Sequence, residues 1–598
     1  MSQTRIFVPR RSPKGARGPV ALRFAVLLGV AIAPASPFGC ASSPRPFPLR
    51  GPLQRDTDLL PVAAPCRRDP TKRDPRHVAC APETYISPLA WDGVDNSVFR
   101  PLSGVFAVDP PGEALNANSL DEVPDSAWFT SRLGARSMSL EEIGAGACSP
   151  LQILPDEAPD GSWVIDEGKD NGSTPGFRVD VPGQGKFLFK ADDEAKPERA
   201  TAASVIGAAA YHAVGFFTSC EQIVYFRPAM LKLLPGLRST DNSGLERPFD
   251  EAALQRVLKI ATRRGDRVRM QASAWLPGRL IGPFRYEGTR GDDPNDIIAH
   301  EDRRELRGGR LLAAWLDHFD AREQNSMDVW LADRDDEPDS SPGYVRHYYL
   351  DMSDCLGSEW AWDGVSRRLG YSYLLDWGDI ALDFVSFGIP TRRWDSAKRT
   401  PGREKFGYFN AHEFSAEGWK NEYPNPAFSR MTERDGAWMA RILARFTPAM
   451  VRALAESGEF SDPGDTAFLT EVLEGRLRKI LERYLTRLSP LADVHVDGGN
   501  RLCAVDLADQ SALRPGSEFH YSGVLLPNRP LPLTHSGSNV CVTLPHVARD
   551  GGSADAAPER YVSATLRDGV AKGLLRAYLY DLGPIRGYQL AGVERTDP

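Results

Sequence analysis

Long apolar runs are scarce in this chain of 598 residues. The longest is the stretch 24–33, Phe-Ala-Val-Leu-Leu-Gly-Val-Ala-Ile-Ala. A bilayer core takes about 20 such residues, so the pattern argues against an integral membrane protein. A basic excess is lacking too: 72 Lys and Arg stand against 80 Asp and Glu, a formal charge of −8. That balance excludes a general nucleic-acid binder. The eight cysteines form no C-x-x-C pair and the ten histidines form no cluster, so a structural zinc site lacks its ligands. No G-x-S-x-G surrounds Ser353 or Ser358, which leaves a serine hydrolase without its nucleophile elbow. The acidic run Asp292-Asp293-Pro-Asn-Asp296 lacks the twelve-residue EF-hand spacing and reads as a loop. No internal repeat is present.

What is present is ordinary globular material. Charged residues at 25% and hydrophobic residues at 41% exclude disorder as the main state, and 12 Trp with 26 Phe supply large apolar surfaces for cores. Arg5, Arg10, Arg11, Lys14, Arg17 and Arg23 precede the apolar run, the layout of a secretory signal peptide. Ala33-Pro34-Ala35 suits cleavage after small residues, giving a free secreted protein. Phe38-Gly39-Cys40 resembles a bacterial lipoprotein cleavage site, with Cys40 as the lipidated residue. On that reading residues 1–40 are a lipoprotein-type signal peptide and the protein is anchored to the membrane through its lipid. Either way the chain is expected in the cell envelope (periplasmic or outer membrane) or secreted. Seven cysteines then remain, an odd number, and proximity alone pairs Cys66 with Cys80 and Cys503 with Cys541.

Residues 41–85 are rich in Pro and Arg and read as a flexible tether. Residues 86–160 turn globular but carry turn formers along 116–129, which predicts an irregular N-terminal cap. In 161–490, strands precede helices. A hairpin is expected over 176–190, a long Ala-rich helix over 197–214, and strands near 222–226 and 267–274. Leu311, Leu312, Trp315, Leu316 and Phe319 then form one apolar helix face, and a further helix is expected from 468 to 488. Residues 491–598 hold short alternating runs between Gly, Pro and Asn, the signature of a small antiparallel β-sandwich. The fold class is α+β.

Three fragments of the middle region carry chemistry. Lys190 ends a strand, with Glu194 and Glu198 just beyond. His318-Phe-Asp320-Ala-Arg322-Glu-Gln-Asn325 follows the amphipathic helix. Leu350-Asp351-Met-Ser-Asp-Cys-Leu-Gly357 ends an apolar strand. Phosphoryl transfer needs a Lys on phosphate oxygens, a carboxylate orienting that Lys, an Asp near the attacking hydroxyl, and an Asn with a second Asp for Mg²⁺. Asp320 and Asn325 have the spacing of the H-R-D-x-x-x-x-N loop, with His318 two before the Asp and Arg322 two after it. Here the sequence resembles the atypical protein-kinase-like superfamily of phosphoinositide-kinase, HipA-like and secreted types. The resemblance spans about 165–380. It implies a two-lobed domain, β-rich N-lobe and helical C-lobe, binding ATP and Mg between them. Lys190 would then hold ATP phosphates with Glu198 (or Glu194) orienting it, and Gly172 and Gly176 would belong to the phosphate loop. Asp320 would serve the acceptor hydroxyl, flanked by His318 and Arg322, with Asn325 and Asp351 on Mg²⁺. Met352-Ser353 replaces the family's Phe-Gly, an insert at 333–342 lengthens the second span, and Asn171-Gly-Ser-Thr-Pro-Gly176 is not G-x-G-x-x-G.

The expected activity is therefore an extracytoplasmic phosphotransferase whose acceptor (protein, lipid or glycan) nothing in the sequence selects. A catalytically inactive kinase-like scaffold that binds an envelope partner is the alternative. A hydrolase using Asp320 and Asp351 as paired carboxylates is a third reading. Arg303, Arg304, Arg307 and Arg310, with Glu301, Asp302 and Glu305 among them, read as a solvated helix face.

Overall fold

A sheet and a helical body meet at the residues of interest, and a separate β-rich part closes the chain. The computed structural model describes residues 56–68, 78–104, 112–169, 174–240, 245–334, 341–358, 360, 362–514, 521–546, 560–569 and 573–596. The class is α+β, as expected.

The first large sheet is built on β1 (Trp163–Lys169), β2 (Gly176–Val181) and β3 (Gly185–Lys190), an antiparallel meander. The helix α1 (Arg199–Val214) intervenes before β4 (Glu221–Phe226) and β5 (Arg267–Ala274). Strand β5 pairs with both β3 and β4. Side chains alternate between the faces of a strand. Phe187 and Phe189 of β3, Phe177 and Val179 of β2, and Trp163 and Ile165 of β1 therefore fill one core. Leu188 and Lys190 occupy the opposite face.

Helix α1 is buried almost all round, which its run of Ala and Gly permits because small side chains let neighbours approach from every side. It starts at Arg199, not at Pro197. Glu198 stands at its N-cap with φ +69°, and the capping bonds come from Asp192, which accepts from the Thr201 amide at 2.9 Å and the Thr201 hydroxyl at 2.7 Å.

Helix α2 (Arg304–Leu316) carries the expected apolar face, with Leu311, Leu312, Trp315, Leu316 and the following Phe319 wholly buried. It is followed by the antiparallel pair β6 (Ser326–Ala332) and β7 (Gly343–Tyr349). Helices α3 (Glu433–Leu443), α4 (Pro448–Glu456) and α5 (Pro463–Ile480) pack around α2 in the same core. Pro448 and Pro463 stand in the first turns of their helices with Thr447 and Asp462 as caps, where a missing N–H costs nothing. The helix expected over 468–488 is the second half of α5 plus a π-turn, Leu481–Leu485.

Beyond it, a four-stranded sheet that includes Leu491–Asp497 and Asn539–Thr543 shares one apolar core with a five-stranded sheet that includes Tyr561–Asp568 and Leu574–Asp581. Cys503 and Cys541 face each other in register and are bonded, as are Cys66 and Cys80. A third disulfide, Cys148–Cys220, joins the segment before β1 to the start of β4, and Cys355 is free and buried.

Two expectations are corrected. The Pro/Arg-rich segment is not a tether from Asp56 on: Asp56 and Asp58 meet the Arg303 guanidinium, and Val62 exchanges backbone hydrogen bonds with Gly343. The arginines of α2 are not a solvated face. Arg303, Arg304 and Arg307 are buried, and partners distant in sequence surround them, Asp121 and Asp435 among them. A buried guanidinium must be paired, and the acids come from several segments: Asp56 and Asp58, Asp121, Asp302 and Asp435. Asn116, in the irregular 116–129 tract, donates to Glu305 at 2.6 Å and accepts from the Arg304 amide at 2.9 Å.

Candidate functional site

Lys190 sits at the end of β3, opposite Gly176 of β2 and Gln271 of β5. Its ammonium donates to the Asp351 carboxylate at 3.1 Å. Burial lowers a Lys pKa, but Asp351, Glu221 and Asp354 outweigh it and hold Lys190 above its usual value. Asp351 follows β7 with φ +52°, in the left-handed region, and also accepts from the Ser353 hydroxyl at 2.7 Å. Burial pushes this carboxyl up, while Lys190 and Ser353 pull it further down, so it stays well below the usual range.

The loop after α2 lies beside this pair because β6 and β7 form a hairpin. Asn325 immediately precedes β6, Leu350 immediately follows β7, and the Leu350 amide donates to the Asn325 carbonyl at 2.9 Å. The Asn325 side-chain amide donates to Asp320 Oδ2 at 2.7 Å and to the Asp320 carbonyl at 2.9 Å. Asp320 is buried, and its pKa is raised well above normal by burial and then by Asp354, with Arg322 opposing. His318 is wholly buried. Its Nδ1 shares a hydrogen bond of 2.9 Å with the Tyr211 hydroxyl of α1, and its Nε2 stands 3.5 Å from Asp320 Oδ1. Burial drops its pKa to about 3, so the ring is neutral at physiological pH. Arg322 turns from Asp320 to Glu422, to which it donates.

Lys190, Asp320, Asn325 and Asp351 therefore gather about one hairpin, with His318 and Arg322 flanking Asp320. Glu198 does not join them. It accepts from the Ser461 amide and hydroxyl and stands 3.8 Å from Lys405, tying the start of α1 to the segment before α5. Glu194 is exposed. Besides Asp351, a second carboxylate acts on Lys190: Glu221, on β4, held by the hydroxyls of Ser219 and Ser273 at 2.6 Å each. Gly176 has a packing reason of its own: a Cβ there would lie 2.0 Å from the Phe189 carbonyl oxygen. Gly172 and Cys40 lie outside the described residues.

Sequence reasoning missed several participants. Arg199, the first residue of α1, donates to the Ser353 carbonyl at 3.0 Å and stands 3.8 Å from Asp354, so α1 grips the turn that follows Asp351. Lys169, at the end of β1, also acts on Asp351 and donates to the Thr174 carbonyl. A cavity of about 570 Å³ lined by Lys169, Arg178, Leu188, Arg238 and Trp275 opens on the same face of the sheet as Lys190. The Arg178 guanidinium lies over the Trp275 ring at 4.9 Å. Glu221 and Arg199 are ordinary residues at element ends, and only the fold brings Glu221 toward Lys190 and Arg199 to the turn after Asp351.

Among the described residues, no group of three or more His, Cys, Asp or Glu is arranged to hold a metal ion. The donors fit a partial set. The Asn325 Nδ2 is directed at Asp320, which turns its Oδ1 the other way, and the Asp351 side chain is 41% exposed. A hard cation that keeps waters and phosphate oxygens as its other ligands asks for no more than one or two such oxygens. Three disulfides fit an oxidising compartment, and no described helix is long and apolar enough to cross a membrane. No family model, no curated protein and no solved structure matches this chain.

Proposed function

We propose that the protein is an extracytoplasmic, ATP- and Mg²⁺-dependent phosphotransferase of two-lobed, kinase-like type. The observation that carries this reading is the hairpin that sets Asn325 and Asp351 side by side while Asp351 holds the strand-end Lys190. Lys190 would bind phosphate oxygens, kept protonated by Asp351 and Glu221. Asn325 Oδ1 and Asp351 would hold Mg²⁺, which supplies charge neutralisation at the phosphates. Asp320 would orient the acceptor hydroxyl and take its proton; Asn325 fixes the carboxylate and Tyr211 fixes the neutral His318 behind it. Lys169 and the neighbouring cavity, on the same face of the sheet as Lys190, would take the rest of the nucleotide.

The catalytically inactive scaffold is favoured by one observation: Asp320 is buried and its Oδ2 already accepts from the Asn325 amide, which leaves an acceptor hydroxyl little access to it. Calorimetry of ATP with Mg²⁺ against the full chain and its Asp351→Ala variant separates the readings. The expected result is binding that the variant loses. Binding without phosphate transfer to any hydroxyl, including water, supports the scaffold. Failure of folded protein to bind any nucleotide overturns the phosphotransferase.

A further inference from the structure

The strap 56–62 is held to the rest of the protein mainly by polar contacts. Leu59 and Leu60 are exposed, and Val62 packs at the edge of the small cluster of Ile281, Trp330 and Val345. The Asp58 carboxyl accepts from the Ala127 amide at 3.0 Å, and the Asn295 side chain donates to the Leu60 carbonyl. Val62 and Gly343 exchange backbone hydrogen bonds at 2.8 and 3.0 Å. Asp56 and Asp58 both turn to the guanidinium of Arg303, the residue before α2. With so little apolar surface behind these bonds, a change of one charge can decide whether the strap stays seated.

The Arg303 guanidinium has more acids around it than it can serve. Asp296 and Glu305 face it at 3.6 Å each, so four carboxyl groups surround one wholly buried cation. Among the described residues, Asp58 Oδ2, Asp296 Oδ1 and Glu305 Oε1 are buried and accept no hydrogen bond. Asn116 serves the other oxygen of Glu305, at 2.6 Å. His300 adds a second cation, bonded to Asp296 at 2.7 Å and held protonated by it. Behind Trp128, His347 is matched by Asp328, which also meets Arg290. Asp56, Asp58, Asp296 and Glu305 against Arg303 and His300 leave two negative charges unbalanced. A buried carboxylate without a counter-charge takes up a proton instead. Burial pushes the Asp58 carboxyl up, Arg303 opposes this and Asp56 adds to it, which leaves the group at about 8.

We propose that the 56–62 strap is a proton-gated latch, seated while Asp58 keeps a proton that the released strap gives up to water, and loosened as pH rises. The direction is set by where the proton sits. Below about pH 4, Asp58 is protonated whether the strap is seated or free, and seating does not depend on pH. Between about pH 4 and the folded value of about 8, the seated strap holds one proton more than the free one. Release is then favoured about tenfold for each pH unit. Above that value the seated carboxyl is ionised as well, and the dependence ends. Release uncovers Arg303 and the Trp128 ring, which the guanidinium overlies at 5.3 Å. This inference does not depend on the nucleotide reading and concerns a different part of the molecule.

The test is hydrogen exchange of the full chain, read by mass spectrometry on the peptide that spans 56–64. Rates are divided by the intrinsic exchange rate at each pH, so that base catalysis of exchange cancels. The expected result is protection that falls about tenfold per unit between about pH 5 and pH 8 and then levels off. Asp58→Asn presents a side chain of the same shape that is neutral at every pH, and it should keep the low-pH protection throughout. A peptide from the central strand β5, paired on both sides, reports opening of the whole molecule and should stay better protected than the strap. Strap protection that ignores pH, a slope that survives Asp58→Asn, or the same protection and slope in the strap and in β5 overturns the proposal. If the variant does not fold, the native slope and the β5 reference still decide.

Discussion

Asp351 carries more constraint than any other residue of the candidate site. A left-handed backbone is rare for a residue with a Cβ, and Asp is among the few that tolerate it. Strain of this kind gathers at functional sites when surrounding bonds over-determine it, and here Lys190 and Ser353 do so. Asp351→Asn keeps the shape and removes the charge. It should leave near-UV circular dichroism unchanged and weaken Mg²⁺-ATP binding by at least tenfold in calorimetry; unchanged binding would take Asp351 out of the site. Glu221→Gln tests the partner that sequence could not name. Gln can still accept from Ser219 and Ser273, so the fold should hold, while Lys190 loses one of its carboxylates and the affinity for ATP falls severalfold. Lys190, Asp320, Asn325 and Asp351 were legible because each is polar where an apolar pattern ends. Glu221 and Arg199 were not, because each touches the site through a partner 30 or more positions away.

The β2–β3 hairpin and the α1 helix are shaped by glycines whose reason is visible only in packing. At Gly176 the obstacle is backbone, the Phe189 carbonyl, which cannot give way without breaking the ladder. Gly176→Ala should therefore unfold the hairpin or cost about 3 kcal/mol or more, measured by urea denaturation, whether or not nucleotide binds. Gly207 of α1 faces Met352, whose Cβ would lie 2.7 Å from a new Cβ. The Met352 side chain fits against a helix that has no side chain there. Gly207→Ala should cost about 1–3 kcal/mol and weaken nucleotide binding together with stability, because Met352 can shift only by moving the Asp351 turn. The alternation of Phe177, Val179, Phe187 and Phe189 made the hairpin readable from sequence. The start of α1 was misplaced by two residues because Pro197 is a good first-turn residue, whereas the cap came from Asp192, several positions earlier and folded back.

Across the molecule, Asp121 joins parts that sequence analysis treated separately. It meets Arg304 of α2, Arg441 of α3 and Arg595 of the last strand, and the Val593 amide donates to the Ser119 carbonyl beside it. Burial pushes the Asp121 carboxyl up, and the three guanidiniums pull it further down, to well below its usual value. A carboxylate whose pKa is depressed by folding contributes stability above its unfolded value of about 3.9, and that contribution is lost as pH falls through the folded value. The urea midpoint of the native chain should therefore drop more steeply below about pH 4 than that of Asp121→Asn. Asp121→Ala should cost about 3–5 kcal/mol, since three buried cations lose their partner. Removing the Cys148–Cys220 bridge, which closes 72 positions, should cost about 2–4 kcal/mol by the chain-entropy argument, read as a lower melting temperature of the Cys148→Ala, Cys220→Ala variant.

What the sequence by itself determined is what repeats locally. The α+β class, the hairpin, the apolar face of α2, the order of strands before helices and two of the three disulfides follow from periodicity, turn chemistry or nearness along the chain. The tertiary structure alone decided who partners whom. Arg303, Arg304 and Arg307 look solvated beside Glu301 and Asp302, yet they are buried because acids from 56 to 121 and from 435 close over them. The charge of Glu221 acts on Lys190 because β3 and β4 both pair with β5, while Glu198, nearer in sequence, is drawn to Ser461. Charge carries no local period, so a pattern along the chain can place a charged residue on an element but cannot say which distant charge will desolvate it.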